Sequence, residues 1–204
     1  MSAEKQFVIK GGSTVSSTGS AGQCFSGKTF EAGSCRQLLK KTAALFPDLN
    51  MEKKTMRSGA VSLRSICAAM LAFDDAGIRD GLASSAVIGI GEEGSVFGNL
   101  LYWNDYVQNG RNDGQAKLFV GTLASTPICE IAIVFNIHGA VYYLDPKAGT
   151  DSFRNETASL LSLGYETILL LHNCRDMSMA AVVKTGTGIP ASEIELSRLW
   201  GIPL

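Results

Sequence analysis

The segment from Val120 to Asp151 constrains the fold of this chain more than any other part of the sequence. Its spacing predicts a helix over 126–135, a turn at 136–139 and an apolar strand over 141–144. The strand leads into a bend of small and charged residues, 145–151, and then into another helix. Several enzyme classes hold a nucleophile at such a strand–bend–helix junction, yet this bend contains neither Cys nor Ser. The sequence therefore predicts a nucleophile scaffold without its nucleophile.

The composition is that of a globular domain. Hydrophobic residues make up 46% of the 204 residues and charged residues 18%, which suits a folded core better than a disordered chain. The formal net charge is −1 and the basic residues are scattered, which argues against a nucleic-acid partner. No apolar run reaches about 18 residues, so we expect no membrane span.

The cysteines indicate a reducing compartment. There are five of them, an odd number without a CxxC pair, which favours neither a disulfide framework nor a metal site. We therefore expect no bound metal. Since no signal peptide is visible at the N-terminus, a cytoplasmic location is expected.

Strand and helix patterns alternate along the chain. The strands are predicted over 7–10, 86–90, 141–144, 167–171 and 179–184, and the helices over 35–46, 58–76, 96–108, 126–135, 151–163 and 192–200. Strands that are apolar on both faces and alternate with helices are typical of a layered α/β domain with a mostly parallel sheet. We predict one domain over 1–204, with a Gly/Ser-rich loop at 13–34 and a C-terminal extension at 185–204.

Two pairs of residues are candidates for thiol chemistry. Cys129 precedes Glu130 on a predicted helix, where a base beside a thiol would activate it; a core cysteine is the alternative. His172 ends an apolar strand close to Cys174, which suggests a nucleophile and its base. The favoured interpretation is that His172 is a polar residue at a strand end, hydrogen-bonded to the backbone, because adjacent strand residues point to opposite faces.

Three further features have structural interpretations as well as functional ones. Gly89-Ile-Gly-Glu-Glu-Gly94 has the spacing of a phosphate loop, but its two glutamates favour a simple turn. The other histidine, His138, falls at a predicted turn. The charges of Asp145, Lys147 and Asp151 suggest either a remodelled pocket or an exposed loop in which Asp151 caps the next helix.

Four segments together resemble the N-terminal half of the β-ketoacyl synthases, enzymes of thiolase-like fold. Helix 58–78 ends in Phe-Asp-Asp-Ala-Gly-Ile, similar to the family's Leu-x-Asp-Ala-Gly pattern, and 87–91 is similar to its next strand and glycine turn. Segment 125–139 is similar to the helix and turn before the nucleophile strand, and 164–171 to the strand after the nucleophile helix. The resemblance covers 5–183. It implies half of a thiolase-like α-β-α sandwich with a mixed, mostly parallel five-stranded sheet.

The departures from the family pattern concern its catalytic groups. Counting forward from Gly139, the position of the family's nucleophilic Cys falls on Ala148. The family's Gly-Pro turn is Gly139-Ala140 here, and Glu130 replaces a small residue. The catalytic histidines and lysine of the family lie in a C-terminal half that this sequence does not contain. An alanine methyl cannot hold an acyl group as a thioester, so the sequence gives no catalytic residue for condensation.

The resemblance implies a non-catalytic ketosynthase-like subunit of fatty-acid, polyketide or aryl-polyene biosynthesis, with no cofactor. Its partner would be a complete β-ketoacyl synthase or a second copy, with an acyl-carrier protein as a further partner. The family's dimer strand corresponds here to Val141, Tyr142, Tyr143, Leu144 and Asp145. A remodelled pocket would be formed by Cys129, Glu130, Lys147 and Asp151. Two alternatives stay open: an acyltransferase or decarboxylase with that altered site, and a stand-alone binder of acyl chains.

Overall fold

A computed structural model describes residues 7–90, 95–111, 114–144 and 152–200. The strands are β1 (Phe7–Ser16), β2 (Ala21–Gln23), β3 (Thr29–Phe30), β4 (Ala86–Ile90), β5 (Val141–Tyr143), β6 (Ile168–Asn173), β7 (Met177–Thr185) and β8 (Ile189–Pro190). The helices are α1 (Cys35–Thr42), α2 (Met51–Thr55), α3 (Ala60–Asp75), α4 (Val96–Gln108), α5 (Ala116–Val120), α6 (Thr126–Phe135), α7 (Ser152–Ser162) and α8 (Glu193–Trp200). Short 3₁₀ turns lie at Ala43–Leu45 and Leu82–Ser84.

Five strands form the body of one sheet, in the order β1-β7-β6-β4-β5. β4 is parallel to both β5 and β6, whereas β7 is antiparallel to its neighbours β6 and β1. It follows that β1, β4, β5 and β6 run in one direction and β7 runs against them. The predicted layered α/β class, with a mixed and mostly parallel five-stranded sheet, is confirmed for this body.

The sheet has eight strands in all, because three short ones join it at the β1 side. β2 pairs with β1, β3 pairs with β2, and β8 pairs with the start of β1. Segment 13–34, predicted to be a loop, therefore contains the second half of β1 and the strands β2 and β3. Its Ser- and Gly-rich composition does not indicate that Ser13 pairs with Gln23 on one side and with Ala180, which is distant in sequence, on the other.

Helices cover both faces of the sheet. On one face α1, α3 and α6 pack on residues such as Val87, Leu169 and Leu171. On the other face α7 and α8 pack on Ile88, Ile168 and Leu170. The strand residues that face one layer of helices alternate with those that face the other, because successive side chains of a strand point to opposite faces. The sheet is therefore the central layer of an α-β-α sandwich.

Helix α3 anchors the first face and closely matches its predicted range. Phe73 near its end is fully buried, and burying such a side chain contributes roughly 1.5–3 kcal/mol. The Asp75 carboxylate then accepts hydrogen bonds from the backbone N–H groups of Gly12, Phe25 and Ser26 at 2.8–3.0 Å. The Phe-Asp-Asp-Ala-Gly-Ile segment thus ties α3 to β1 and to the turn after β2.

Helix α2 is absent from the helices that the sequence predicts. Asn50 caps α2 by accepting a hydrogen bond from the Lys53 N–H at 3.2 Å. The Lys54 ammonium donates to the carbonyl oxygens of Ile133 (3.2 Å) and Val134 (2.8 Å) at the end of α6. A cation at a helix C-terminus satisfies carbonyls that have no partner within the helix.

Candidate functional site

The carboxyl ends of three parallel strands lie side by side at one edge of the sheet. Ile90 at the end of β4 is in register with His172 of β6, and Gly89 is in register with Tyr143 of β5. In α/β proteins, ligands bind at the carboxyl ends of parallel strands. This edge is therefore the candidate site, and the residues at the ends of β4, β5 and β6 are those able to contact a ligand.

Strand β5 is held to the rest of the molecule by its two tyrosines. Tyr143 packs over Gly89 of β4, where an added Cβ would lie 2.5 Å from the Tyr143 ring and 3.1 Å from Ile128. The Tyr142 hydroxyl donates to the Glu156 carboxylate of α7 at 3.0 Å. Burial raises the pKa of Tyr142 above its ordinary range, and the Glu156 contact adds to that shift. The strand is thereby fixed on both faces.

Three of the five residues predicted for the dimer interface form β5, the last strand in the order of the sheet. Val141, Tyr142, Tyr143 and Leu144 are all half-buried, and β5 ends the strand order. The fifth predicted residue, Asp145, lies outside the described residues. So do Lys147, Ala148 and Asp151, so the bend and its alanine stay predictions.

The other two residues of the predicted pocket lie on α6. Cys129 is exposed, whereas Glu130 is half-buried. The Glu130 Oε2 atom is buried and has no hydrogen-bond partner within the described residues. His138 is exposed in the turn after α6.

The structure brings together a pair that the sequence analysis set aside. His172 Nε2 lies 3.1 Å from Cys174 Sγ, within hydrogen-bond distance. The two residues are two positions apart at the end of β6, so their side chains point to the same face of the sheet. The sequence argument considered only adjacent residues, which point to opposite faces. The spacing of two was the signal that would have found the pair.

A buried arginine fixes the turn that carries Cys174. The Arg64 guanidinium on α3 donates to the carbonyl oxygens of Cys174 (2.7 Å) and Arg175 (3.0 Å), and to Ser178 Oγ (2.9 Å). Ser65 Oγ donates to Asn173 Oδ1 at 2.9 Å on the same face. These bonds lock the hairpin between β6 and β7 from the face opposite to the thiol, so the Cys174 backbone is held in place.

Three of the other cysteines are in surroundings that suppress reactivity. Burial, with a smaller contribution from Asp75, raises the pKa of Cys24 to about 11. Burial likewise raises the pKa of Cys35, and that of Cys67 far above its ordinary value. Because the thiolate is the nucleophile, a raised pKa makes these thiols poor nucleophiles at neutral pH.

Comparison with solved structures identifies the fold. A ketosynthase (ApeO) in complex with its chain length factor (ApeC) from Xenorhabdus doucetiae matches with a TM-score of 0.57 and 13% identity, over 91% of this chain and 81% of that one. The ishigamide ketosynthase/chain length factor matches at 0.61 and 14%, over 96% of this chain and 60% of that one. A β-ketoacyl synthase from Burkholderia phymatum STM815 matches at 0.56 and 14%, over the same shares.

The chain has a thiolase-like, ketosynthase-like fold. The resemblance inferred from the four sequence segments is confirmed at the level of fold. No family model matches the sequence, and no curated protein matches it either. The chain spans about three fifths of the length of the second and third of these structures.

Within this ketosynthase-like fold, the candidate site lies at the carboxyl ends of β4, β5 and β6. Of the residues that the sequence singled out, His172 and Cys174 are brought into contact at the end of β6. Within the part of the chain that the structure describes, no group of three His, Cys, Asp or Glu residues is placed to hold a metal ion. None of the described helices is long and apolar enough to cross a membrane.

Proposed function

We propose that this chain is a ketosynthase-like subunit that pairs with a complete β-ketoacyl synthase in fatty-acid, polyketide or aryl-polyene biosynthesis. The observation that carries the proposal is an apolar helical surface that stays exposed among the described residues. Helix α4 has no buried residue, although most of its residues are apolar or aromatic. It is followed by α5, whose Phe119 and Val120 are exposed as well.

The apolar surface is defined by large side chains of α4, α5 and the turn after α5. Trp103 and Leu100 are each 54% exposed, as are Phe119 and Leu123. The remaining members are Val96, Phe97, Leu101, Val107 and Val120. Monomeric proteins rarely expose contiguous apolar patches of more than a few hundred Å². A surface of this kind, rich in aromatic residues, is typical of the core of a protein–protein interface.

The helical surface is an ordered structure rather than a loose insertion. Tyr102 of α4 stacks on Tyr106 at 6.1 Å between ring centroids and meets Phe119 of α5 edge-on at 5.6 Å. Gly98 lies against the backbone of Gly121, so the two helices are in close contact. A preformed surface loses little conformational entropy when a partner binds.

The position of this surface in the fold supports a ketosynthase as the partner. The α4–α5 segment connects β4 to α6, and α6 leads into β5, the last strand of the sheet. A partner with the same fold would offer an equivalent strand and helices. Two of the solved structures of this fold combine a ketosynthase with a chain length factor. The predicted absence of a nucleophile at Ala148 suits the chain length factor's place in such a pair.

Co-purification tests this proposal. The tagged chain is co-expressed with each complete β-ketoacyl synthase of its own genome, and the complexes are measured by size-exclusion chromatography with light scattering. We expect a one-to-one complex with one synthase, weakened at least tenfold by Leu100→Asp or Trp103→Glu. Leu163→Asp, at a site 73% exposed beyond α7, is the matched control and should leave the complex intact. A wild-type chain that stays monomeric with every synthase and carrier protein, or that forms only a homodimer, contradicts the heterodimer.

A further inference from the structure

We propose that Cys174 and His172 form a reactive thiol–imidazole pair that accepts an acyl group from a thioester. The proposal does not depend on the synthase partner, because both residues belong to this chain. A nucleophile within hydrogen-bond distance of a base is the geometric signature of an activated thiol. The 3.1 Å separation of Nε2 and Sγ meets this condition.

The position of the pair suits attack on an external electrophile. Cys174 is half-buried and lies at the carboxyl end of β6. His172 is 8% exposed and lies two residues earlier, within the strand. The thiol is therefore the outer member and the imidazole the inner one. The Arg64 hydrogen bonds to the Cys174 and Arg175 carbonyls hold the turn rigidly, so the thiol keeps its place beside the base.

The surroundings of the thiol indicate an electrophile with an apolar body. Cys174 packs against the apolar cluster on the α7 side of the sheet, which contains Phe153 and Leu170. Two residues of this cluster's edge lie beside the pair: Ile90 is in register with His172, and the Met177 carbonyl accepts a hydrogen bond from the Cys174 N–H at 2.9 Å. These neighbours present carbon and sulfur atoms, which suit an acyl chain better than a charged group.

The transfer needs no reagent besides the thioester. Sγ gives its proton to Nε2 and attacks the carbonyl carbon of the thioester, forming a new carbon–sulfur bond. The resulting tetrahedral adduct collapses by breaking the bond to the original sulfur, which takes the proton from Nε2 and departs as a free thiol. The products are S-acyl-Cys174 and that thiol, and the imidazole returns to its starting state.

The other cysteines are internal controls for this proposal. Cys129 on α6 is more exposed than Cys174, but within the described residues it makes no hydrogen bond to a histidine. Cys24 is half-buried like Cys174, and its pKa is raised to about 11. If exposure alone decided reactivity, Cys129 would react first. If the imidazole decides it, Cys174 reacts first.

The test is acylation of the full chain with hexanoyl-N-acetylcysteamine, followed by peptide mass spectrometry. We expect the hexanoyl adduct on Cys174 to form at least tenfold faster than on Cys129 or Cys24. His172→Gln should lower that rate about a hundredfold, since positioned acid–base groups contribute roughly 10²–10⁴. Alkylation of Cys174 by iodoacetamide should also slow in the same variant, because the thiolate is the nucleophile in both reactions, but by less than acylation, because iodide leaves without a proton.

Two controls keep the result interpretable. Cys129→Ala should leave the adduct unchanged, and circular dichroism of His172→Gln should match the wild type. The wild-type ratio of Cys174 to Cys129 labelling decides the question even if the histidine variant misfolds. The proposal is overturned if hexanoyl labelling follows the exposure of the cysteines, with Cys129 labelled most, or if no adduct forms on Cys174. An equal rate in a folded His172→Gln variant overturns the role of the imidazole. A negative result here leaves the synthase complex unaffected, since that is measured without any thioester.

Discussion

Replacement of Arg64 by Met tests whether one side chain holds the β6–β7 hairpin. The wild-type guanidinium is buried, and its hydrogen bonds to described residues include three of 2.7–3.0 Å, two of them to carbonyls of the turn. Hydrogen bonds that involve a charged group contribute about 1.5–3 kcal/mol each. The three bonds together therefore contribute at most several kcal/mol to the free energy of unfolding. Two effects reduce this sum. Arg175 is exposed and Cys174 half-buried, so water can reach their freed carbonyls, and the Met side chain replaces the apolar stem.

We therefore expect Arg64→Met to lower the free energy of unfolding by about 2–4 kcal/mol. The assay is urea denaturation followed by circular dichroism, at one fixed protein concentration because association would add to apparent stability. Arg57→Met, at an exposed position just before α3, is the control and should change stability by less than about 0.5 kcal/mol. A change of that small size for Arg64→Met would refute the inference that this residue clamps the hairpin.

Two further predictions concern β5. Gly89→Ala places a Cβ 2.5 Å from the Tyr143 ring, and we expect a loss of about 1–3 kcal/mol in urea denaturation; a stability equal to wild type would contradict the tight β4–β5 packing. Because burial raises the pKa of Tyr142, the folded state retains a proton above pH 10 that the unfolded state loses, so the unfolding free energy should fall as the pH rises through that window. Tyr142→Phe should remove that fall, and an unchanged pH dependence would show that the shift has another source.

The parts of the fold that the sequence predicts are those governed by local patterns. Helix α3 and strand β4 were predicted within two residues of their observed ends, because their apolar periodicity is long or uninterrupted. The strands within 13–34 were missed, because their residues become strand only by pairing with β1 and, through it, β7. Helix α2 was missed for a similar reason: Lys54 is bound to carbonyls at the end of α6, some eighty residues away.

The candidate site was predictable only in outline. The position of β5 at the end of the sheet follows the predicted resemblance, whereas the contact between His172 and Cys174 depends on how the end of β6 enters its hairpin. Arg64 lies within α3 and has partners that the sequence does not indicate, since they are more than a hundred residues away. Charge within an otherwise buried helix is the one clue that would have selected it.

The most direct test of the proposed subunit role is hydrogen–deuterium exchange of the chain alone and in its complex with a complete synthase. We predict that the complex slows exchange in α4, α5 and β5, and leaves the exposed end of α7 near Leu163 unchanged. Protection confined to other surfaces would contradict the assignment of the α4–α5 surface and β5 as the subunit interface.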